Sequence, residues 1–340
     1  MSVFAGAPVT LSGDRIVRSE IDKGREKEHF KTIIGSQEKA RKGLKKKALT
    51  MARRRFMLLL KPFDAYPSLH SNGLSSRVTN PKVLKHLDNR RLVHKEAINF
   101  CQNVLRNKFV DCIPVSRHDL SQPIRDVDLV ITIGGDGTLL QGSHFLDDKI
   151  PVLGVNSDPT QAREVNEDFD ATRSTGYLCA ATVDNFEQIL DDILENRSKP
   201  SEVSRMLIRL NSQQLPTYAL NDILIAHPCP ATVSRSSGLR VSTAAGSTAA
   251  VLSAGGFAMP ILSKDLQYIV REPIAPGASH GFMHGVMKHD ELMEIAWYCK
   301  EGIIYVDGSH VVYPVQHGDT VLLSSQAPTL KVFLPSRLLC

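Results

Sequence analysis

Apolar and polar positions follow two rhythms along this chain. Between Phe56 and Asn156, short apolar runs at 56–61, 109–115, 127–133 and 150–155 read as strands. The stretches between them carry helical spacing. One opens at Asn80-Pro81, a helix-start pair, shows Val83, Leu84 and Leu87, and continues through Ile98, Val104 and Leu105. Another runs from Thr138 to about Phe145. The run at 127–133 is apolar enough to be covered on both faces, and strand–helix alternation predicts a parallel, doubly wound sheet. After Asn156 strands dominate, at 177–183, 203–210, 218–226, 239–243, 266–270, 302–306, 311–315 and 320–324. Helices are expected only at 184–196 and 247–255. The fold class is therefore α/β, with an N-terminal doubly wound parallel-sheet domain followed by a C-terminal β-rich domain.

Composition narrows the choices. With 340 residues, 42% of them hydrophobic, the chain can bury a sizeable core. No apolar run approaches the roughly 18 residues that span a bilayer, so no membrane partner is expected. The net charge of +5 is unevenly distributed. Residues 1–55 hold 15 basic and 6 acidic side chains, net +9, and the remainder holds 26 basic and 30 acidic, net −4. A slightly acidic body argues against a nucleic-acid partner. Residues 1–50 read as a disordered basic extension, and Met51, ahead of Arg53-Arg54-Arg55 and the first strand, looks like a second start. Six scattered cysteines without a C-x-x-C pair suit a reducing compartment.

The sharpest chemical feature is Ile131-Thr132-Ile133-Gly134-Gly135-Asp136-Gly137-Thr138-Leu139-Leu140. A buried strand enters a glycine cluster that opens a helix, so backbone N–H groups and the helix dipole favour phosphate. Asp136 in its midst suits phosphoryl transfer to a hydroxyl whose proton it accepts or orients. A Gly-Asp-Gly turn with Asp136 as a helix cap is the alternative. No Gly-Lys dipeptide occurs, so the standard P-loop is absent. A second cluster, Ser242 to Gly256, is rich in small residues and hydroxyls that suit ribose or phosphate, though a tightly packed small-residue helix has the same composition. A third places Asn221 beside Asp222 in an apolar strand, where burial is costly without hydrogen bonds.

In this order the three clusters resemble the NAD kinase family. The glycine-rich acidic motif is matched at Gly134–Thr138, the family's Asn-Glu pair corresponds to Asn221-Asp222, and its Ser/Thr/Gly loop with trailing Gly-Gly corresponds to Thr243–Gly256. The resemblance is closest to the branch containing plant NADH kinases, because Gly154-Val155-Asn156-Ser157-Asp158-Pro159 replaces the usual Asn-x-Gly-x-Leu-Gly-Phe continuation. It implies an ATP- and Mg²⁺-dependent enzyme that phosphorylates the adenosine ribose 2′-hydroxyl of NADH or NAD. Asp136 would face that hydroxyl. Gly134, Gly135, Gly137, Thr138, Asn156, Asn221, Asp222, Thr243, Gly246, Ser247, Thr248, Ala249 and Ser253 would hold the nucleotides, with no protein metal site. Ala250 stands where the family has tyrosine. The implied domains are 51–165 for the nucleotide-kinase part, 166–318 for the dinucleotide part, and 319–340 as a segment packing back on the first. A homodimer is implied as well. The alternatives are a lipid kinase of the diacylglycerol/sphingosine type and a non-catalytic dinucleotide-binding module.

Weaker signals remain. His280 and His284 have metal-ligand spacing, but intervening glycines argue against the helix that would use it. Asp307-Gly308 between apolar runs is a hairpin turn signal. Arg240 could meet phosphate or form a surface ion pair. The expected compartment is the cytoplasm. The peroxisome is the alternative, suggested by Ser336-Arg337-Leu338, although Leu339-Cys340 follow that tripeptide.

Overall fold

Apolar alternation between Phe56 and Leu59 builds both faces of one sheet. In the computed structural model, which describes residues 54–63, 80–159, 174–229, 236–273 and 283–339, Phe56 and Leu58 point to one side and Leu59 to the other. The extension expected over 1–50, the second start at Met51 and His280 lie outside the described residues. The described residues belong to one compact unit.

The strands β1 (Arg55–Leu60), β2 (Asp111–Ser116), β3 (Leu129–Gly134) and β4 (Val152–Asn156) are parallel in the order β2-β1-β3-β4. Beyond β4 come a short β5 (Ala181–Thr182), then β17 (Leu330–Phe333) parallel to β4, and β6 (Ser201–Val203) antiparallel to β17. Helix α1 (Pro81–Asn107) and helix α3 (Phe186–Leu194) cover one face, packing Ile98, Cys101, Leu105 and Leu190 on Phe56, Leu58, Ile131 and Leu153. Helix α2 (Asp136–Ser143) covers the other, with Leu139 against Leu59, Val130 and Val152. The expected doubly wound sheet is present.

The N-terminal start of α1 is as expected, with Asn80 accepting from Lys82 N and Pro81 at the first position. Val83, however, is 42% exposed, and the buried stripe begins at Leu84. The strand expected from Phe109 starts at Asp111, because Phe109 takes φ 55° as the chain leaves α1 and is exposed.

The β-rich part forms two antiparallel sheets. Six strands run in the order β12 (His284–Met287), β11 (Leu266–Arg271), β10 (Gly238–Ser242), β9 (Asp222–Ala226), β14 (Glu301–Val306) and β15 (Val311–Gln316). Four more run β13 (Met293–Ala296), β16 (Thr320–Ser324), β7 (Leu207–Leu210) and β8 (Gln213–Gln214). Their facing side chains, among them Ile208, Val321, Ile223, Ile225, Val241 and Ile304, form a second core.

Three further expected elements differ more. The strand expected at 203–210 is broken into β6 and β7, which enter different sheets. Between them Arg205 is buried, and its guanidinium donates to the carbonyls of Pro328, Ser143, Leu146 and Thr329. The strand expected at 177–183 shrinks to β5, since the amides of Tyr177 and Leu178 donate to a carboxylate instead of a ladder. The helix expected at 247–255 is one turn, α4 (Ala250–Ser253). The hydroxyls before it bond backbone groups and favour turns.

Candidate active site

In a parallel sheet, ligands settle beyond the carboxyl ends of strands where the order of connection reverses. Here that place is between β1 and β3, because β1 has β2 on one side and β3 on the other. The residues leaving those two strands are Lys61 and the pair Gly134-Gly135.

Asp136 is the first residue of α2, with Gly135 at the cap position. Its carboxylate does not cap its own helix. Oδ2 accepts from Tyr177 N at 2.8 Å and Oδ1 from Leu178 N at 2.9 Å, while Ser174 Oγ accepts from Asp136 N at 3.2 Å. The Cys179 thiol lies 3.7 Å from Oδ1 and is pushed well up by burial and by Asp136, so it stays a neutral donor. Arg337, in the Ser336–Leu338 turn, donates to the carbonyls of Gly176 and Tyr177 and holds that loop from behind. A Cβ at Gly135 would overlap Ser174, and one at Gly134 would overlap the buried Thr138 hydroxyl. Gly137 is different, because a Cβ there would meet nothing within 4 Å. Asn156 is buried, its amide donating to Ser174 O at 2.9 Å and accepting from Asp158 N at 3.3 Å.

A cationic rim borders this loop and was not read from the sequence. Lys61 N donates to Ile133 O at 3.0 Å, and burial, then the nearby Arg117, pushes the Lys61 ammonium below its ordinary value. Arg117 follows β2, and Arg90 of α1 pairs with Asp158 at 2.8 Å. Burial lowers His94, whose neutral ring donates through Nε2 to Lys61 O at 2.9 Å and accepts at Nδ1 from the Ser157 hydroxyl at 2.8 Å. The signal available in the sequence was a lysine directly at the exit of an apolar strand.

The other two clusters reach α2 through packing. Leu220 and Ala245 join Leu139 in one core, which sets the Asn221-Asp222 pair and the small-residue loop beside the helix. The pair is half-buried at Asn221 and buried at Asp222. Burial pushes the Asp222 carboxyl above its ordinary value, and the Arg240 guanidinium in contact with it opposes that rise. Arg240 thus forms the ion pair that the sequence left open.

The small-residue loop divides in two. Thr243, Gly246 and Ser247 are buried, with Thr243 Oγ1 donating to Leu220 O and accepting from Gly246 N, and Ser247 Oγ donating to Ala244 O at 2.7 Å. A Cβ at Gly246 would overlap the Asn221 carbonyl. Thr248 is half-buried, and Ala249 and Ser253 are exposed. Ser253 and Ala250 line an open groove of about 430 Å³ with Arg240, Ile269 and Arg271. His284 lies at the start of the edge strand β12, and its expected partner His280 is outside the described residues.

What stands at the switch point is a carboxylate at the head of a helix rather than a P-loop lysine. Backbone N–H groups and a carboxylate together at a helix head suit a phosphotransferase that delivers phosphate to a hydroxyl. Comparison with known proteins narrows the class, and the chain belongs to the NAD kinase family. The ATP-NAD kinase N-terminal domain family model matches residues 32–158. A probable NADH kinase of Oryza sativa subsp. japonica is 56% identical over 85% of this chain and 99% of its own length. The NADH kinase of Arabidopsis thaliana is 58% identical over 84% and 96%. Among solved structures, an NAD kinase from Archaeoglobus fulgidus in complex with ATP shares the fold with a TM-score of 0.56 at 19% identity, covering 84% of this chain and 95% of that one. Yeast NADH kinase complexed with NADH does so with a TM-score of 0.58 at 17% identity, covering 83% of each.

Proposed function

We propose that this protein transfers the γ-phosphoryl group of MgATP to the 2′-hydroxyl of the adenosine ribose of NADH or NAD, giving NADPH or NADP. The observation that carries the reading is that the helix headed by Asp136 shares one core, through Leu139, Leu220 and Ala245, with the segments bearing Asn221-Asp222 and the small-residue loop, in a chain 56–58% identical to plant NADH kinases. The ribose oxygen attacks the γ-phosphorus as its proton passes to Asp136, the bond to the β-phosphate oxygen breaks, and ADP leaves. The two backbone N–H bonds aim the Asp136 carboxylate, and the ribose hydroxyl takes the place of one of its two longer donors, the Ser174 hydroxyl at 3.4 Å from Oδ2 or the Cys179 thiol at 3.7 Å from Oδ1.

The glycine-rich loop, with Lys61 and Arg117, supplies donors and charge for the triphosphate. Thr248, Ala249 and Ser253 border the dinucleotide from the exposed side of their loop, whereas Thr243, Gly246 and Ser247 shape that loop from within. Magnesium enters as part of the ATP substrate. Among the described residues no group of three or more His, Cys, Asp or Glu could hold a metal, and magnesium is commonly held by phosphates, water and one or two carboxylates.

The dinucleotide clusters favour this reading over a lipid kinase, and no helix among the described residues is long and apolar enough to cross a membrane. Five free cysteines among the described residues suit the cytoplasm or another reducing compartment, and a homodimer is the proposed assembly. Asp136→Asn tests the assignment. It should lower kcat with NADH and with NAD by about 10²- to 10⁴-fold, while melting shows a folded protein. Near wild-type turnover would remove Asp136 from the chemistry, whereas dinucleotide binding without turnover in the wild-type protein would favour a binding module.

A further inference from the structure

We infer that Asp307, held by His144, is a positioning residue for phosphoryl transfer that fixes the Asn221-Asp222 segment against the helix beginning at Asp136. The inference rests on the kinase reading above.

Asp307 sits in the tight turn joining β14 to β15, where it takes φ 51° and Gly308 takes φ 116°. Such a turn asks for two residues tolerant of positive φ, and asparagine would serve as well as aspartate. The carboxylate has another task. Its side chain is fully buried and gathers four donors. Oδ2 accepts from Leu220 N at 2.8 Å and from His144 Nε2 at 2.8 Å, and Oδ1 accepts from Asn221 N at 2.7 Å and Asp222 N at 3.0 Å. Asp307 N in turn donates to Asp222 O at 2.9 Å. Three successive backbone N–H groups converging on one anion form a nest, and here the anion comes from the protein itself.

The fourth donor makes the nest a link. His144 is the residue that closes α2, so one carboxylate joins the far end of the Asp136 helix to the segment bearing Asn221 and Asp222. A carboxylate can only accept, which places the ring proton on Nε2. His144 Nδ1 is buried without a hydrogen-bond partner among the described residues. A side chain present only to fill space would not leave such an atom unpaired, and the Nε2 bond accounts for an imidazole here. His310 stacks on this ring, with centroids 5.2 Å apart and planes 19° from parallel, and so limits its rotation. Phosphoryl transfer is sensitive to such a link, because a misplacement of about 1 Å between reacting groups can cost about 10²-fold in rate.

The test uses the full-length protein. His144→Phe keeps the ring and its stack but removes the Nε2 donor, and His144→Gln restores an N–H at a similar reach. The Phe variant should lose about 10- to 100-fold in kcat. The dissociation constants of a non-hydrolysable ATP analogue and of NADH should stay within about twofold of wild type, and the Gln variant should recover most of the loss. Asp307→Asn should show the same split if it folds. Unchanged kcat in the Phe variant, whatever its melting temperature, would overturn the inference. So would a loss carried wholly by weaker NADH binding, or a Gln variant as impaired as Phe. Absence of turnover in the wild-type protein would instead overturn the kinase reading, and this inference with it.

Discussion

A lysine at the exit of a buried strand is held in two environments at once, and Lys61 illustrates the conflict. Burial and Arg117 push its ammonium down from the ordinary 10.5, while Asp158 pulls the other way. Below the depressed value Lys61 is charged and can meet a triphosphate. As pH climbs through that value the charge is lost and ATP binding weakens. KM for ATP should therefore rise on the alkaline side earlier than an ordinary lysine would dictate. Lys61→Arg, charged throughout, should flatten that rise on the alkaline side, below the ordinary lysine value. Identical KM profiles for the two proteins would exclude Lys61 from the triphosphate. At this scale the sequence singled out Asp136 as a candidate, because a carboxylate inside a glycine loop between strand and helix is locally anomalous. It revealed Asp307 only as a turn residue. The partners of Asp307 lie 85 to 87 positions earlier at Leu220–Asp222 and 163 earlier at His144, and no local pattern records them.

Among elements, the glycine loop ahead of α2 separates packing from ligand space. Gly135→Ala would drive a methyl into Ser174 and disturb the turn that aims Asp136, so both melting temperature and kcat should fall. Gly137→Ala meets open space, and its melting temperature should stay within about 2 °C of wild type or rise slightly, since alanine suits a helix better. If phosphate occupies that space, kcat/KM for ATP should nonetheless drop about tenfold or more in Gly137→Ala. Full activity in that variant would move the phosphate elsewhere. The parallel strands were readable from their apolar runs because burial on both faces leaves a strong signal. The break at Ser204–Met206 was not readable. Apolar residues on either side of Ser204-Arg205 read as one strand, since the partners of Arg205 are carbonyls far along the chain, and the hydroxyl-rich stretch before α4 carries the composition of a helix while its side chains bond like turns.

Across the whole molecule Arg205 ties the two parts together. Burial lowers it to about 10, so it remains charged at neutral pH, with its guanidinium on carbonyls at the end of α2 and ahead of β17 and its charge 5.1 Å from the Tyr218 ring centroid. Arg205→Met would strand those carbonyls and should cost about 3 kcal/mol or more, read as a lower urea midpoint at an unchanged slope. An unchanged midpoint would show that the carbonyls find other partners. The sheet that carries the glycine loop has a related dependence. Val332 of β17 pairs with Val152 of β4, 180 positions earlier, and Arg337 reaches back to the loop that aims Asp136. On the ribosome, at about 5–20 residues per second, some ten seconds or more separate the emergence of β4 from that of its neighbour. Throughout that interval the nascent chain holds an unfinished sheet with an open edge, the state in which chaperones find their substrates, and the loop that aims Asp136 is braced only once Arg337 has emerged.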